Sequence, residues 1–274
     1  PVKNHILLLR AVAQLNPRRF AAPLKVEWLD EGRFNGSLTG TFSFEGSGRS
    51  TDDLVLRASA SLVDSTLAGV RFPNAGVDFE MARREIRTKF AGPFEHLPGT
   101  LFTARKELAD TTLNGSAEMS VGFTIPKVGP LELLEADGAI TLSSSMIAGV
   151  AVDSARVTGA FANHTVTIEG LIATGPDLRA TALGTLALGD TGSSNLRFDV
   201  SATNLESLAK RFNRPFAGSA HIVGEATGPA SNLTLAGTLG ANRLRYGTNV
   251  DALTANSKDV VHVSHFDFEQ ARVQ

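Results

Sequence analysis

Residues 54–62 read Leu-Val-Leu-Arg-Ala-Ser-Ala-Ser-Leu, placing Leu54, Leu56, Ala58, Ala60 and Leu62 on every second position. Successive side chains of an extended strand point to opposite faces, so this period lays an apolar stripe along one side. The same alternation recurs on either side of this stretch. It runs through Leu24, Val26 and Trp28, through Leu38, Phe42 and Phe44, and through Val77, Phe79 and Met81. It returns at Ile140 and Leu142, Val166 and Ile168, Leu186 and Leu188, and Phe198, Val200 and Ala202. Leu233 and Leu235, then Val261 and Val263, continue it. Between these runs lie Gly46-Ser47-Gly48, Gly129-Pro130, Gly175-Pro176-Asp177, Gly189-Asp190-Thr191-Gly192 and Gly228-Pro229. Such residues supply the dihedral angles that tight turns need. Short strands joined by turns describe a meandering antiparallel sheet.

Helical signals are few. Leu7, Leu8, Ala11 and Leu15 have near-helical spacing, so residues 4–15 are expected to form a short helix ended by Asn16-Pro17; a strand over Ile6–Leu9 remains open. One helical turn is expected within 97–110, through Arg105-Lys106-Glu107-Leu108, and a short helix over 204–212 with Asn204 as its N-cap.

Three stretches repeat one another. Phe34-Asn35-Gly36-Ser37 is followed by Ser65-Thr66-Leu67-Ala68-Gly69-Val70, and Leu113-Asn114-Gly115-Ser116 by Ser145-Met146-Ile147-Ala148-Gly149-Val150. Phe216-Ala217-Gly218-Ser219 is followed by Asn242-Arg243-Leu244-Arg245-Tyr246-Gly247. The first glycines stand at 36, 115 and 218, giving intervals of 79 and 103 residues. A repeat of this kind points to a surface built by stacking one unit. The organisation read from the sequence is a connecting segment at 1–23 and a repeating β region at 24–274, with units 33–110, 111–211 and 212–274.

Composition narrows the function. The chain has 274 residues, 42% hydrophobic and 20% charged, with net charge −2 from 26 basic and 28 acidic residues. No basic block exists to track phosphates, which argues against nucleic acid; Arg18-Arg19 and Arg83-Arg84 read as solvated loop or strand-edge charge. Cysteine is absent, so disulfides, thiolate catalysis and cysteine-ligated zinc are excluded. No apolar run approaches the roughly 18 residues of a membrane span. The chain starts at Pro1 and ends within the alternating Phe266-Asp267-Phe268-Glu269, so both ends read as cuts through a longer polypeptide. Aromatics make up 7%, with one Trp and one Tyr, whereas sandwich cores lean on aromatic anchors. The apolar faces are instead rich in Ala, Val and Leu. The expected architecture is therefore mainly β, an elongated, curled antiparallel sheet with an apolar interior and one or two short helices. An alternating sheet that never closes leaves an apolar trough, and such a surface marks a binding site.

With its glycine-ended strands, its Leu-x-Leu runs, and Ala75 and Ala155 six residues beyond Gly69 and Gly149, the repeat resembles the periplasmic β-groove region of the TamB-like proteins of the AsmA-like superfamily, over roughly residues 24–257. The resemblance implies an inner-membrane-anchored protein of a Gram-negative-type envelope, its anchor in an N-terminal part outside this chain. It implies a U-shaped apolar groove crossing the periplasm and passing phospholipid between the membranes. It also implies support for outer-membrane protein and autotransporter assembly, with a BamA/TamA-like outer-membrane partner met through a C-terminal region. The interval of 103 residues departs from a strict repeat.

The residues themselves agree with such a lining. Acyl chains need no directional bonds, and each buried CH₂ contributes on the order of 0.8 kcal/mol. The residues expected to face the groove are Leu54, Leu56, Leu62, Val77, Phe79, Ile140, Leu142, Val166, Ile168, Leu186, Leu188, Phe198, Val200, Leu233 and Leu235. The competing reading makes them an ordinary closed core.

No catalytic or metal-binding set is expected, and no cofactor. Of His5, His96, His164, His221, His262 and His265, only His262 and His265 are close, and an i, i+3 pair on a strand points to opposite faces. His96 beside Glu95 is a conceivable acid–base pair without a nucleophile. Gly46-Ser47-Gly48 lacks the Lys-Ser/Thr of a phosphate loop, and Asp177 and Asp190 lack the dense glycine–aspartate repeats of a calcium-binding roll. Asn163-His164-Thr165 and Asn232-Leu233-Thr234 match a glycosylation acceptor, which means little in a bacterial protein. The leading expectation is a non-enzymatic lipid-shielding or lipid-conducting groove. The alternatives are an extracellular β-solenoid or autotransporter-type adhesin with a closed core, and a secreted hydrolase, for which no Ser/His/Asp or carboxylate cluster is seen.

Overall fold

The structure, a computed structural model, describes residues 7–16, 35–47, 53–101, 109–125, 132–188, 192–211, 216–246 and 260–263. The chain divides into two compact units, Pro1–Ile140 and Thr141–Gln274. The first holds strands β1 (Leu7–Leu15), β2 (Gly36–Ser47), β3 (Val55–Leu67), β4 (Val70–Ala82), β5 (Glu85–Pro98) and β6 (Thr112–Thr124). Strand β7 (Glu132–Ile147) carries the division between the units. The second holds β8 (Val150–Ala162), β9 (Thr165–Thr174), β10 (Leu178–Ala187), β11 (Ser194–Ala202), a helix α1 (Leu205–Arg211), β12 (Phe216–Gly228), β13 (Thr234–Tyr246) and β14 (Val260–Val263).

Strands pair antiparallel in chain order, β1 through β6 in the first unit and β8 through β14 in the second. Among the described residues, in neither unit does the last strand pair back to the first, so no barrel closes there. The protein is thus mainly β and built as an open antiparallel meander, as the alternation predicts.

The N-terminal helix expectation is corrected: Leu7–Leu15 is a strand whose backbone pairs along Leu38–Gly46 of β2. Leu7, Leu9, Ala11, Ala13 and Leu15 also satisfy a period of two, and a sheet neighbour supplies the backbone partners that a short isolated helix would have to find alone. Arg105-Lys106-Glu107-Leu108, through which a helical turn is expected, lie outside the described residues; the described part of 97–110 holds a 3-10 turn at Gly99–Leu101. The expected 204–212 helix is α1, and Asn204 caps it: its Oδ1 accepts the Ser207 N–H at 3.2 Å. The expected strand at Leu24, Val26 and Trp28 lies outside the described residues, as do His5, His265, Gly129-Pro130 and Arg18-Arg19.

Two-residue hairpins set the register. Ala68-Gly69 joins β3 to β4 and Ala148-Gly149 joins β7 to β8, all four residues having positive φ (54°, 79°, 48°, 75°). Arg83-Arg84 and Asn163-His164 make the same left-handed turns at β4–β5 and β8–β9. Their twist matches that of the strands they join. Arg83-Arg84 is therefore turn structure, and Arg84 Nε donates to Ile125 O at 2.7 Å.

The sequence repeat has a structural counterpart. One residue before the repeated serine the strand bulges, at Asp64 (φ 43°) and Ser144 (φ 42°). The bulge turns the next side chain inward, so Ser65 is fully buried and Ser145 nearly so. Ser65 Oγ accepts the Thr39 N–H at 2.9 Å and donates to Thr39 O at 3.1 Å, bridging β3 to β2. Ser145 Oγ donates to Ser143 O at 3.2 Å. The two halves of a repeat lie on neighbouring strands: Gly36 opposes Leu67, and Gly218 lies against the backbone of Asn242 and Arg243. The unequal intervals are also explained. Among the described strands, Gly115 on β6 is four steps from Gly36 on β2, whereas Gly218 on β12 is six steps and α1 from Gly115.

Replacing Ser65 with Ala is expected to cost about 1–2 kcal/mol in chemical denaturation, because the Thr39 amide loses a buried partner. Gly184 has φ 125° on β10, opposite the extra residue that β9 carries between Ile168 and Leu171, and a Cβ there would meet the backbone of Asn195 and Leu196. Gly184→Val should destabilise by more than about 2 kcal/mol, whereas Gly170→Ala, with nothing within 4 Å of its added Cβ, should stay within about 0.5 kcal/mol.

Candidate functional site

Antiparallel register carries the alternation of one strand across its neighbours. In the first unit Phe42, Ala60, Val77, Phe90 and Met119 lie side by side on β2 to β6. Phe44, Ala58, Phe79, Thr88 and Val121 form the next row, and Leu56, Met81, Ile86 and Phe123 a third. The intervening positions point the other way and read Ser43, Ser59, Asp78, Lys89 and Ser120, then Glu45, Arg57, Glu80 and Arg87. Each strand thus contributes to one apolar and one polar face.

The second unit repeats this. Phe161, Val166 and Leu186 form one row, Val157, Leu171, Ala182 and Phe198 another, and Ala180, Val200, Ile222 and Leu239 a third. Phe198 leans over the missing side chain of Gly224, where an added Cβ would come within 2.9 Å of the ring Cζ.

The apolar face is largely half-buried. Leu56, Phe79, Ile86 and Phe90 in the first unit, and Ile168, Leu171, Leu196 and Phe198 in the second, are neither sealed nor free. Full burial is confined to smaller groups, such as Phe42, Leu62 and Ala75, against which Leu38, Phe44, Phe72 and Phe90 pack. Phe72 and Phe90 meet edge to face at 5.8 Å. In a closed sandwich the large residues at mid-strand would be sealed by a facing sheet.

Of the residues expected to line a groove, Leu62 and Leu142 are buried. Leu54, Leu56, Val77, Phe79, Ile140, Val166, Ile168, Leu186, Phe198, Val200, Leu233 and Leu235 are half-buried. Leu188 departs from the set: it lies past the end of β10, is 55% exposed, and its N–H donates to His164 O at 2.8 Å. The list omitted Ile86, Phe90, Met119, Val121 and Phe123, whose own alternation, broken only by Thr88, could have revealed them. It also omitted Leu196 and Ile222, and Leu171 and Leu239, which each adjoin a glycine.

The polar face is laced with exposed pairs: Arg57–Glu80 at 3.0 Å, Arg87–Glu135 at 3.5 Å and Arg197–Glu225 at 3.0 Å. Such pairs are worth about 1 kcal/mol or less each. Arg71 forks between Glu95 (2.8 Å) and Asp64 (2.9 Å), and these bonds, Glu95 first, raise the guanidinium pKa above its ordinary value. A concavity of about 810 Å³ on this face mixes Arg57, Arg87 and Lys89 with Glu45, Asp78 and Glu80.

Glu95 is engaged by Arg71, and His96 lies at a positive-φ bulge (60°) with its N–H donating to Asn114 Oδ1, so the two do not form an acid–base pair. His221 Nε2 lies 2.7 Å from Asp199 Oδ1 on the polar face, both about half exposed. Among the described residues no group of three or more His, Asp or Glu is placed to hold a metal ion. No described helix is long and apolar enough to cross a membrane. No protein-family model, curated protein or solved structure matches the chain.

Leu171 and Ile172 are adjacent on β9 but face opposite ways, Ile172 being 59% exposed. Leu171→Asp should cost about 2–4 kcal/mol in urea melts, since its carboxylate would enter the apolar row. Ile172→Asp should change stability by no more than about 0.5 kcal/mol, and equal losses would refute the two-faced arrangement.

Proposed function

We propose that this chain is part of a non-enzymatic cell-envelope factor whose apolar sheet face shields or conducts phospholipid acyl chains. The observation that carries the reading is the continuous apolar face of each unit, half-buried on an open sheet and backed by a charged, solvated face. Half-buried Leu, Val, Ala and Phe offer surface to a flexible hydrocarbon without demanding directional bonds. The backbone imposes no competing polarity, because the strand ladder already satisfies it. Glycines and alanines along the rows lower the lining and leave room for a chain of variable shape.

The resemblance to the TamB-like repeat region supports placing such a groove in the periplasm, in service of lipid passage and outer-membrane protein assembly. A BamA/TamA-like outer-membrane partner rests on that resemblance alone. A second reading, a structural β-domain of adhesin or solenoid type, is favoured by the fully buried residues near the β3–β4 and β7–β8 turns, such as Leu62, Val70, Leu142 and Val152.

Native mass spectrometry with lipid extraction, on protein purified from a bacterial host without detergent, separates the two. Phospholipid should co-purify with the wild type and be lost in whichever of Leu56→Glu, Phe79→Asp and Ile168→Glu retain β-sheet circular dichroism. A lipid-free protein that also refuses long-chain fatty acids would place the apolar face in a closed core.

A further inference from the structure

In the second unit the rows of apolar residues run across the strands, so the strand ends form the two long rims of the apolar face. At one rim the connections are short: Ala148-Gly149 between β7 and β8, and Gly175-Pro176-Asp177 between β9 and β10. Between β11 and β12, at that same rim, the chain instead makes an excursion of thirteen residues, 203–215, that contains α1. A direct reversal between these adjacent antiparallel strands needs only a few residues.

The described part of this excursion, 203–211, is docked across the strand ends. Thr203 N–H donates to Asp177 O at 3.0 Å, tying the entry of the helix to the β9–β10 turn. Asn204 fixes the first helical turn through Ser207. Ser207 and Leu208 then reach the β7–β8 turn, where they enclose a cavity of about 90 Å³ with Met146, Gly149, Val150, Ala151, Pro176 and Asp177. The helix also packs against β12. Leu205 and Leu208 are half-buried while Glu206 is exposed, so α1 turns an apolar side toward the rim. Val152, Ala155 and Ala202, all near this rim, are at most 8% exposed, whereas the rows at mid-strand are half-buried.

We infer that α1 is a lid on one rim of the apolar face, and that acyl chains enter the second unit laterally when it lifts. The inference rests on the lipid-groove reading and adds a route of entry. Seven residues are too few for a helix stable by itself, so α1 holds its form through its cap and its seat, and the residual cavity shows that the seat is incompletely packed. Lifting it breaks the Thr203–Asp177 hydrogen bond and the apolar seat of Leu205 and Leu208, and leaves the sheet ladder intact.

The absence of cysteine makes the test clean. Ala151→Cys and Ser207→Cys place two thiols on the walls of the same small cavity. A reversible bis-methanethiosulfonate linker then ties the lid down in a protein whose sequence and fold are unchanged by the treatment. The probe is a fluorescent sixteen-carbon fatty acid, its uptake followed by stopped flow. Linked protein should take up probe several-fold more slowly than the same protein with its thiols singly blocked, and reduction should restore the rate. Leu208→Ala, in an otherwise unmodified chain, should speed uptake. Equal rates with and without the linker, in protein that does bind probe, would overturn the lid and leave the groove standing. No probe bound in any form would overturn the groove, and the lid with it.

Discussion

Strand-to-strand backbone pairing in fixed register is the constraint from which everything else in this protein follows. Where two strands pair without slipping, a residue's face is decided by its neighbour's, and one alternating strand commits those on either side. Phe42, Ala60, Val77 and Phe90 share a face because the ladder lines them up, although the strands that carry them differ in composition. A one-residue slip would carry a whole strand's apolar set into water. The two-residue turns at Ala68-Gly69, Arg83-Arg84, Ala148-Gly149 and Asn163-His164 leave little freedom to slip, since each locks one hairpin at its tip.

Against that rigid register stand the bulges. They fall where a side chain has to be re-aimed or a strand has to bend, and the chain provides for them locally. Ser65 is the clearest case. Once Asp64 has absorbed the extra residue, a side chain that would have faced solvent turns inward, and only a small hydroxyl able to bond both backbone groups of Thr39 suits the place. The recurring Ser-x-x-Ala-Gly is therefore a recipe for a bulge followed by a left-handed turn.

This shows what the sequence could reveal. Stretches with unbroken alternation, such as Leu54–Leu62, were legible because nothing competed with a period of two. Leu7–Leu15 was not, because its leucines and alanines satisfy both periods and the choice falls to a neighbour that local pattern cannot see. The face of β9 and β13 was half legible: Ile168 and Leu235 stood out, while Leu171 and Leu239 lay beside shifts of register or among glycines that blur the count. Leu188 falls past the end of β10, since alternation says nothing about where a strand stops. The buried serines were visible as a repeat but not as buried polar groups, since their burial depends on a bulge that sequence alone does not announce.

The spacing of the repeat carries a last consequence. Its first glycine moves from β2 to β6 and then to β12, steps of four and six strands, always an even number. An antiparallel sheet can gain or lose material without inverting strand direction only in whole hairpins, so a protein of this design changes size in discrete increments. Lineages could tune the reach of such a sheet by adding or deleting hairpins, as a ruler is extended by whole divisions, while the chemistry of its lining stays the same.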